Sequence, residues 1–309
     1  GPPVTVLFTQ NTNPAVVAPD TRRVIQGLLR PDLFTVVHEQ FFTDTAKYAD
    51  IVLPATMFTE HDDIYQAGGH THLQIGRKLV DPPGECKSNH WVLQQLARRL
   101  GLKHPAFDWD EITLIDHTLQ NSDLPSSEKL IATGGIDCAK NFEDSNFLNG
   151  FDTPDKRFHF HADWARVGPN SLGMPRLPDH WDVTDDCSEE YPFRLVAAPA
   201  RQFLNTTFTE TPSSRRMEKE PHVKMHTHDM AELKIAENDW VKLGNTQGEI
   251  SIRVNGFDHL QPGTVVVESI WPNRDFPNEL GINTLISSEP GKPNGGAVFH
   301  DTAVWVRPA

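Results

Sequence analysis

The apolar positions fall into two regimes along the chain. In the first hundred residues they come as short continuous runs. Val4–Phe8 ends in the loop signal Asn11-Thr12-Asn13-Pro14, and Leu33–Val37 follows the breaker Pro31-Asp32. Ile51-Val52-Leu53 closes at Pro54. Between the first two runs, Pro19 and Asp20 open a helical stretch with Val24, Ile25, Leu28 and Leu29 on one face. Strand, helix, strand in that order predicts a parallel sheet with crossover helices, and continuous apolar runs predict strands covered on both faces. Ser88–Leu100 reads as a helix with Ser88 as N-cap. Trp91, Val92, Leu96, Ala97 and Leu100 form its apolar face, Arg98 and Arg99 sit at the negative end, and Gly101 stops it.

From Tyr191 the pattern changes to short strands broken by turns. Phe193–Ala197 and Asp239–Leu243 are strands, and the turn Gly244–Gly248 leads into alternating Ile250, Ile252 and Val254. After Asn255-Gly256 and Pro262-Gly263, Thr264–Ile270 runs apolar. Strands at this spacing predict a small closed barrel. The intervening stretch is rich in Pro, Asp, Asn and Gly, with a helix near Trp109–Leu119 and an edge strand at Lys156–His161. The expected division is therefore 1–105 as an α/β domain, 106–190 as an irregular connection, and 191–309 as a β-barrel.

Composition narrows the partners. The 309 residues are 38% hydrophobic and 23% charged, the balance of a folded globular chain. A formal charge of −14 repels polyanions, so nucleic acid is not an expected partner. No apolar run reaches the roughly 18 residues of a membrane span, so no membrane insertion is expected. Cys86, Cys138 and Cys187 are odd in number and far apart, with no C-x-x-C, which points to buried free thiols rather than disulfides or an iron–sulfur site. No signal peptide is visible, and a cytoplasmic location is the expectation. Gly1-Pro2-Pro3 runs straight into the first strand without a Met, as in a piece of a longer protein.

Three loops stand where strands end. Thr9–Ala15 follows the first strand, at the ligand-binding edge of a parallel sheet. Val36–Ala46 carries Glu39, placed where ribose hydroxyls are held, and Thr43, which can cap the turn that follows. Ala198–Phe208 pairs Arg201 with the amide and hydroxyls of Asn205 and Thr206, groups that suit phosphates and a heteroatom-rich ring. Taken singly, each has a structural reading: turn chemistry, a helix cap with a solvated acid, and a surface loop with an ordinary Arg.

Together they carry a resemblance. Thr43-Asp44-Thr45-Ala46 with Ala49-Asp50-Ile51-Val52-Leu53-Pro54, preceded by Asn13-Pro14, resembles the "NP" and "TxTA…ADIVLP" stretches of molybdopterin oxidoreductases of the dimethyl-sulfoxide-reductase family. Pro83-Gly84-Glu85, Lys87-Ser88-Asn89 and the Leu96–Gly101 helix end resemble that family's continuation. Phe203–Phe208, and Asn238–Val241 with Gly248, resemble its C-terminal dinucleotide-binding barrel. Gln66–Gln74 departs from the family's "NxEGRxQ" pattern.

The resemblance implies a Rossmann-like parallel-sheet domain followed by a closed six-stranded, double-psi-like β-barrel, holding a bis-pterin guanine dinucleotide cofactor with molybdenum or tungsten. It implies that Asn13, Glu39, Thr43 and Thr45 line the site of one dinucleotide, and Arg201, Asn205, Thr206 and Asn283 that of the other pterin. In the barrel loop, Phe203 and Phe208 are expected to pack inward beneath those polar groups. The family's metal ligand and [4Fe-4S] cysteines lie N-terminal to the segments matched here. The implied partners are therefore the N-terminal remainder of the same enzyme and an electron-transfer subunit. No catalytic residue and no protein metal ligand is assigned in this chain.

The spacing of His222, His226 and His228 could hold a metal in a loop, but solvated histidines are the reading adopted; His159 and His161 are read as packing or surface residues. Two rivals remain. A non-catalytic pterin-binding module or subunit would share every feature above and differ only upstream, in the cysteines and metal ligand. A nicotinamide dehydrogenase is disfavoured, because no G-x-G-x-x-G follows the first strand.

Overall fold

The computed structural model describes residues 2–177, 179 and 185–309. They form two compact units: residues 1–37, 41–52 and 160–309 make the first, and 38–40 with 53–159 the second.

The chain opens with β1 (Val6–Gln10), the one-turn α1 (Pro14–Val17), α2 (Thr21–Leu28), β2 (Phe34–Glu39) and β3 (Ile51–Pro54). The three strands form a parallel sheet in the order β1-β2-β3, as the sequence order implies. Pro14 starts α1 where a missing N–H costs nothing, and Asp20 caps α2 by accepting from Arg23 N at 3.2 Å. Both faces are covered in the middle of β2, where the consecutive Val37 and His38 are fully buried, but not at the strand starts or along β3. Thr35, Val37 and His38 of β2 are buried, yet Val6, Phe34 and Ile51 are 61%, 45% and 43% exposed. The physical reason is brevity: only a 3-10 turn at Ala46–Tyr48 joins β2 to β3, too short to blanket a sheet face.

In the second unit β4 (Asp63–Gln66), β5 (His72–Gly76) and β6 (Ile136–Asp137) make an antiparallel sheet, ordered β4-β5-β6. Helices α3 (Asn89–Arg99), α4 (Glu111–Asn121), α5 (Ser127–Thr133) and α6 (Phe142–Ser145) complete it. Leu73, Ile115, Leu119 and Leu130 form its small core. Residues 111–145 thus hold more regular structure than their composition suggests, because caps at Asp110, Ser126 and Asn141 start helices in a polar sequence. Residue 178 and residues 180–184 of that connection lie outside the described residues. Ser88 caps α3 by accepting from Trp91 N at 3.3 Å, but the buried positions are Val92 and Ala97. Trp91, Leu96 and Leu100 of the expected apolar face are exposed. Lys156–His161 is not a strand: Lys156 has φ 59°, and His159 turns back to Asp155 at 2.9 Å.

The barrel contains β7 (Phe193–Ala198), α7 (Pro212–Glu218), β8 (His222–Met225), α8 (Thr227–Leu233), β9 (Trp240–Gly244), β10 (Glu249–Gly256), β11 (Thr264–Glu268) and β12 (Thr302–Pro308). Its strands close in the order β10-β8-β11-β7-β12-β9. The pairs β10/β8 and β11/β7 are parallel, and the other pairings are antiparallel. Period-two alternation points Ile250, Ile252 and Val254 inward onto Leu195, Val223, Met225, Leu243, Val265 and Val304. All three cysteines are free, but none is buried: Cys86 and Cys187 are half-buried and Cys138 is exposed. All three lie in irregular segments between elements, where little packs over a thiol. Among the described residues, no helix is long and apolar enough to cross a membrane.

Candidate cofactor-binding site

In the first unit a buried polar seam joins the Asn-Pro loop, the Thr43–Ala46 turn and the barrel. Asn13 Oδ1 accepts from Thr45 N at 3.1 Å and from Thr45 Oγ1 at 2.6 Å. Thr45 Oγ1 in turn accepts from Ala15 N at 3.0 Å. Both side chains are buried, so these bonds fasten the loop after β1 to the turn before β3. The barrel reaches the same place with two asparagines. Asn283 Nδ2 donates to Val16 O at 2.7 Å, and Asn273 Nδ2 donates to Ala15 O at 2.9 Å, satisfying the free carbonyls of the one-turn α1. Asn273 Oδ1 also accepts from Gly281 N at 3.0 Å. Asp44, only 3% exposed, accepts from Asn273 N at 3.2 Å and pairs with Lys47 at 2.9 Å. That carboxylate holds the Lys47 ammonium above its usual value, chiefly through the hydrogen bond.

Of the sequence-derived site residues, Asn13, Thr45 and Asn283 are thus buried and bonded to their own chain. Thr43 is half-buried, and its Oγ1 accepts from Ala46 N at 3.3 Å, but the 3-10 helix that follows has Thr45, not Thr43, at its N-cap, with no side-chain cap bond. Glu39 belongs to the second unit. There its Oε1 accepts from the Gln40 amide at 2.7 Å, and its backbone carbonyl accepts from Ala55 N at 3.0 Å. Burial pushes its carboxyl above the ordinary value, partly offset by the Gln40 bond. His38 beside it is fully buried, and its Nε2 lies 3.1 Å from Lys87 O. Burial pushes that imidazole down.

The loop after β7 has the opposite character. Leu204 and Thr207 exchange backbone bonds at 3.1 and 2.9 Å, making a tight turn with Asn205 and Thr206 at its tip. Asn205 has φ 52°, a left-handed conformation that Asn tolerates. Arg201 and Asn205 are exposed and Thr206 is half-exposed. Beneath the tip the loop is locked. Phe203 is 5% exposed and meets Trp271 edge-on, with ring centres 4.9 Å apart. Ser269 Oγ donates to Asn205 O at 3.2 Å, and Arg215 Nε donates to Thr209 O at 2.6 Å. Arg215 also pairs with Asp275 at 2.8 Å and covers the Trp271 ring.

Phe208 corrects the expectation for this loop. It does not pack inward: it is 52% exposed, and its left-handed φ of 71° breaks the antiparallel register of Leu204 with Thr207 that would otherwise set it opposite Phe203. A left-handed Phe is uncommon and costly, and such strain concentrates where a loop is shaped for a ligand.

Sequence reasoning missed Asp44, Asn273, Trp271 and Arg215. The segment Ser269–Asn273, just past β11, touches the tip loop through Ser269 and Trp271 and the seam through Asn273. Its only signal was Trp271-Pro272-Asn273 at a strand end. Asp44 was hidden inside a motif read for its threonines.

Residues 2–99 match the molybdopterin oxidoreductase family model. Residues 193–303 match that of the molydopterin dinucleotide binding domain. The chain belongs to the molybdopterin oxidoreductase family. It is 33% identical over 309 residues to the Bacillus subtilis protein named "Probable oxidoreductase YoaE", covering 99% of this chain and 44% of that protein. It is 24% identical over 300 residues to the trimethylamine-N-oxide reductase of Haemophilus influenzae, covering 87% of this chain and 36% of the relative. The solved acetylene hydratase from Pelobacter acetylenicus shares the fold at a TM-score of 0.79 and 19% identity, over 99% of this chain and 44% of that one. The chain therefore spans less than half the length of these relatives.

Proposed function

We infer that this chain is the cofactor-clasping part of a molybdenum (or tungsten) oxidoreductase that uses a bis-pterin guanine dinucleotide. The observation that carries this reading is the barrel loop: exposed Arg201 and Asn205 with half-exposed Thr206, mounted on a base locked by Phe203, Ser269 and Arg215. Such a loop offers a planar cation, an amide and a hydroxyl on a backbone with little entropy left to lose on binding. The donor set fits phosphates and a heteroatom-rich ring. Asn13, Thr45 and Asn283 act differently: Asn13 Oδ1, Thr45 Oγ1 and Asn283 Nδ2 are committed within the fold and hold the loop backbone, which leaves Asn13 Nδ2 and Asn283 Oδ1 as the groups they are proposed to offer the ligand. Thr43, in the first unit, is proposed to face the other dinucleotide, and Glu39, in the second, is proposed to accept from ribose hydroxyls.

When bound, the cofactor supplies the redox chemistry, as organic and metal cofactors generally do. These residues orient it and limit access of water. We assign the metal ligand and any iron–sulfur cluster to the remainder of the polypeptide, and electron delivery to a separate subunit. The free thiols at Cys86, Cys138 and Cys187 suit a reducing compartment such as the cytoplasm.

The test uses the full enzyme with Asn205→Gly, which removes the side chain but keeps the left-handed backbone. Cofactor affinity is expected to fall about tenfold or more, for a lost charge-assisted bond worth about 1.5–3 kcal/mol, with an unchanged melting temperature. Full retention of pterin by both Asn205→Gly and Arg201→Ala would remove this loop from the site.

A further inference from the structure

On the barrel surface, α8 carries a group of side chains that the cofactor reading leaves unused. His228, Asp229 and Glu232 each offer one ligand atom, and these atoms lie within 4.8 Å of one another. His228 and Glu232 are one helical turn apart and share a face. The ring nitrogens of His228 face Asp229 Oδ1 at 3.7 Å and Glu232 Oε1 at 3.8 Å.

The three are not equivalent. Asp229 is only 6% exposed, and its Oδ2 accepts from Gly263 N at 2.8 Å. One oxygen is thus committed to the backbone, and the other is held pointing at the imidazole. The side chains of His228 and Glu232 are 63% and 69% exposed, free to rotate the short distance needed to share an ion with that fixed oxygen. His226 stands two residues earlier, its ring centre 6.4 Å from that of His228. Its Nδ1 accepts from His228 N at 3.0 Å, fixing the backbone at the start of the cluster.

We propose that His228, Asp229 and Glu232 bind a divalent transition-metal cation of the zinc and nickel class. One imidazole and two carboxylates suit these ions, whereas magnesium and calcium prefer oxygen alone. Water completes the coordination, so affinity falls below that of a closed structural site. The consequence is a clip: through Asp229 and Gly263, the ion ties α8 to the turn that starts β11.

The competing reading is an ion-pair network on a solvated helix, which would gain nothing from metal. Calorimetric titration of the tag-free, chelator-treated protein with zinc, nickel or magnesium chloride separates the two. Wild type should bind zinc and nickel but not magnesium at this site, and zinc should raise its melting temperature. His228→Ala should lose one equivalent of zinc or weaken it about tenfold or more, and Glu232→Gln should weaken it several-fold. His222→Ala, outside the trio, should change neither. Both trio substitutions are at exposed positions, so the metal-free variants should melt like wild type. Unchanged zinc binding and stabilisation in His228→Ala, or no zinc uptake by wild type below about 1 mM, would overturn the proposal.

Discussion

Replacing Thr45 by valine removes one hydroxyl, and almost no volume, from the middle of the seam. That hydroxyl donates to Asn13 Oδ1 at 2.6 Å and accepts from Ala15 N at 3.0 Å. Ala15 is fully buried, so its amide would be left without a partner, a penalty of about 1–3 kcal/mol. Asn13 keeps its bond from Thr45 N at 3.1 Å, so the loss on that side is a net bond of about 0.5–1.5 kcal/mol. The two effects together come to about 3 kcal/mol. For a unit of 150–250 residues this lowers the melting temperature by roughly 6–12 °C. Thr45→Ser keeps the hydroxyl and loses one methyl, which costs only about 1 kcal/mol. Urea and thermal unfolding of the two variants separate hydroxyl from methyl. If Thr45→Val unfolds within about 0.5 kcal/mol of wild type, or Thr45→Ser is as damaging, the seam does not hold these loops.

Phe203→Ala should cost about 3–5 kcal/mol, because its ring is buried against Trp271, whereas Phe208→Ala at its half-exposed position should cost less than about 1 kcal/mol; chemical denaturation measures both. His38 is held neutral by burial, so its contribution is fully present above the ordinary imidazole value near pH 6.5 and is lost as pH falls through its lower folded value. His38→Gln should therefore melt lower at neutral pH but lose less on acidification. Glu39 has the opposite sign: its carboxyl is pushed up, so its contribution is present below the ordinary value of 4.5 and is lost as pH rises through the raised one. Relative to wild type, Glu39→Gln should thus be favoured more at pH 7 than at pH 4, read from melting temperatures across that range.

Local patterns were legible wherever one periodicity and one cap decide an element. Asp20 and Ser88 announced their helices, and the alternation of Ile250, Ile252 and Val254 announced a barrel wall. Which face of α3 is buried was not legible, because Trp91 and Leu96 are as apolar as Val92 and only tertiary packing chooses among them. The helix near Trp109–Leu119 was legible and is α4, but α5 and α6 were hidden in a composition that reads as loop, since the small core that buries Leu130 of α5 draws on Leu73 far upstream. Within the site, sequence marked polar residues at strand ends but could not tell those facing outward from those consumed internally. Asn205 and Asn283 look alike in a sequence; one is exposed on a turn and the other is 3% exposed and bonded to Val16 O. Asp44 and Asn273 gain their roles from a pairing across 229 positions, which no local motif encodes.

The most direct measurement of the central claim is the nucleotide and metal content of the enzyme that contains this chain, purified from its natural host. Acid hydrolysis followed by chromatography gives guanine nucleotide and oxidised pterin per polypeptide, and mass spectrometry of the elements gives molybdenum and tungsten. The account predicts two guanine nucleotides and two pterins for each molybdenum or tungsten atom. Protein that is folded and fully occupied by another cofactor, with neither pterin nor guanine nucleotide released, would contradict it.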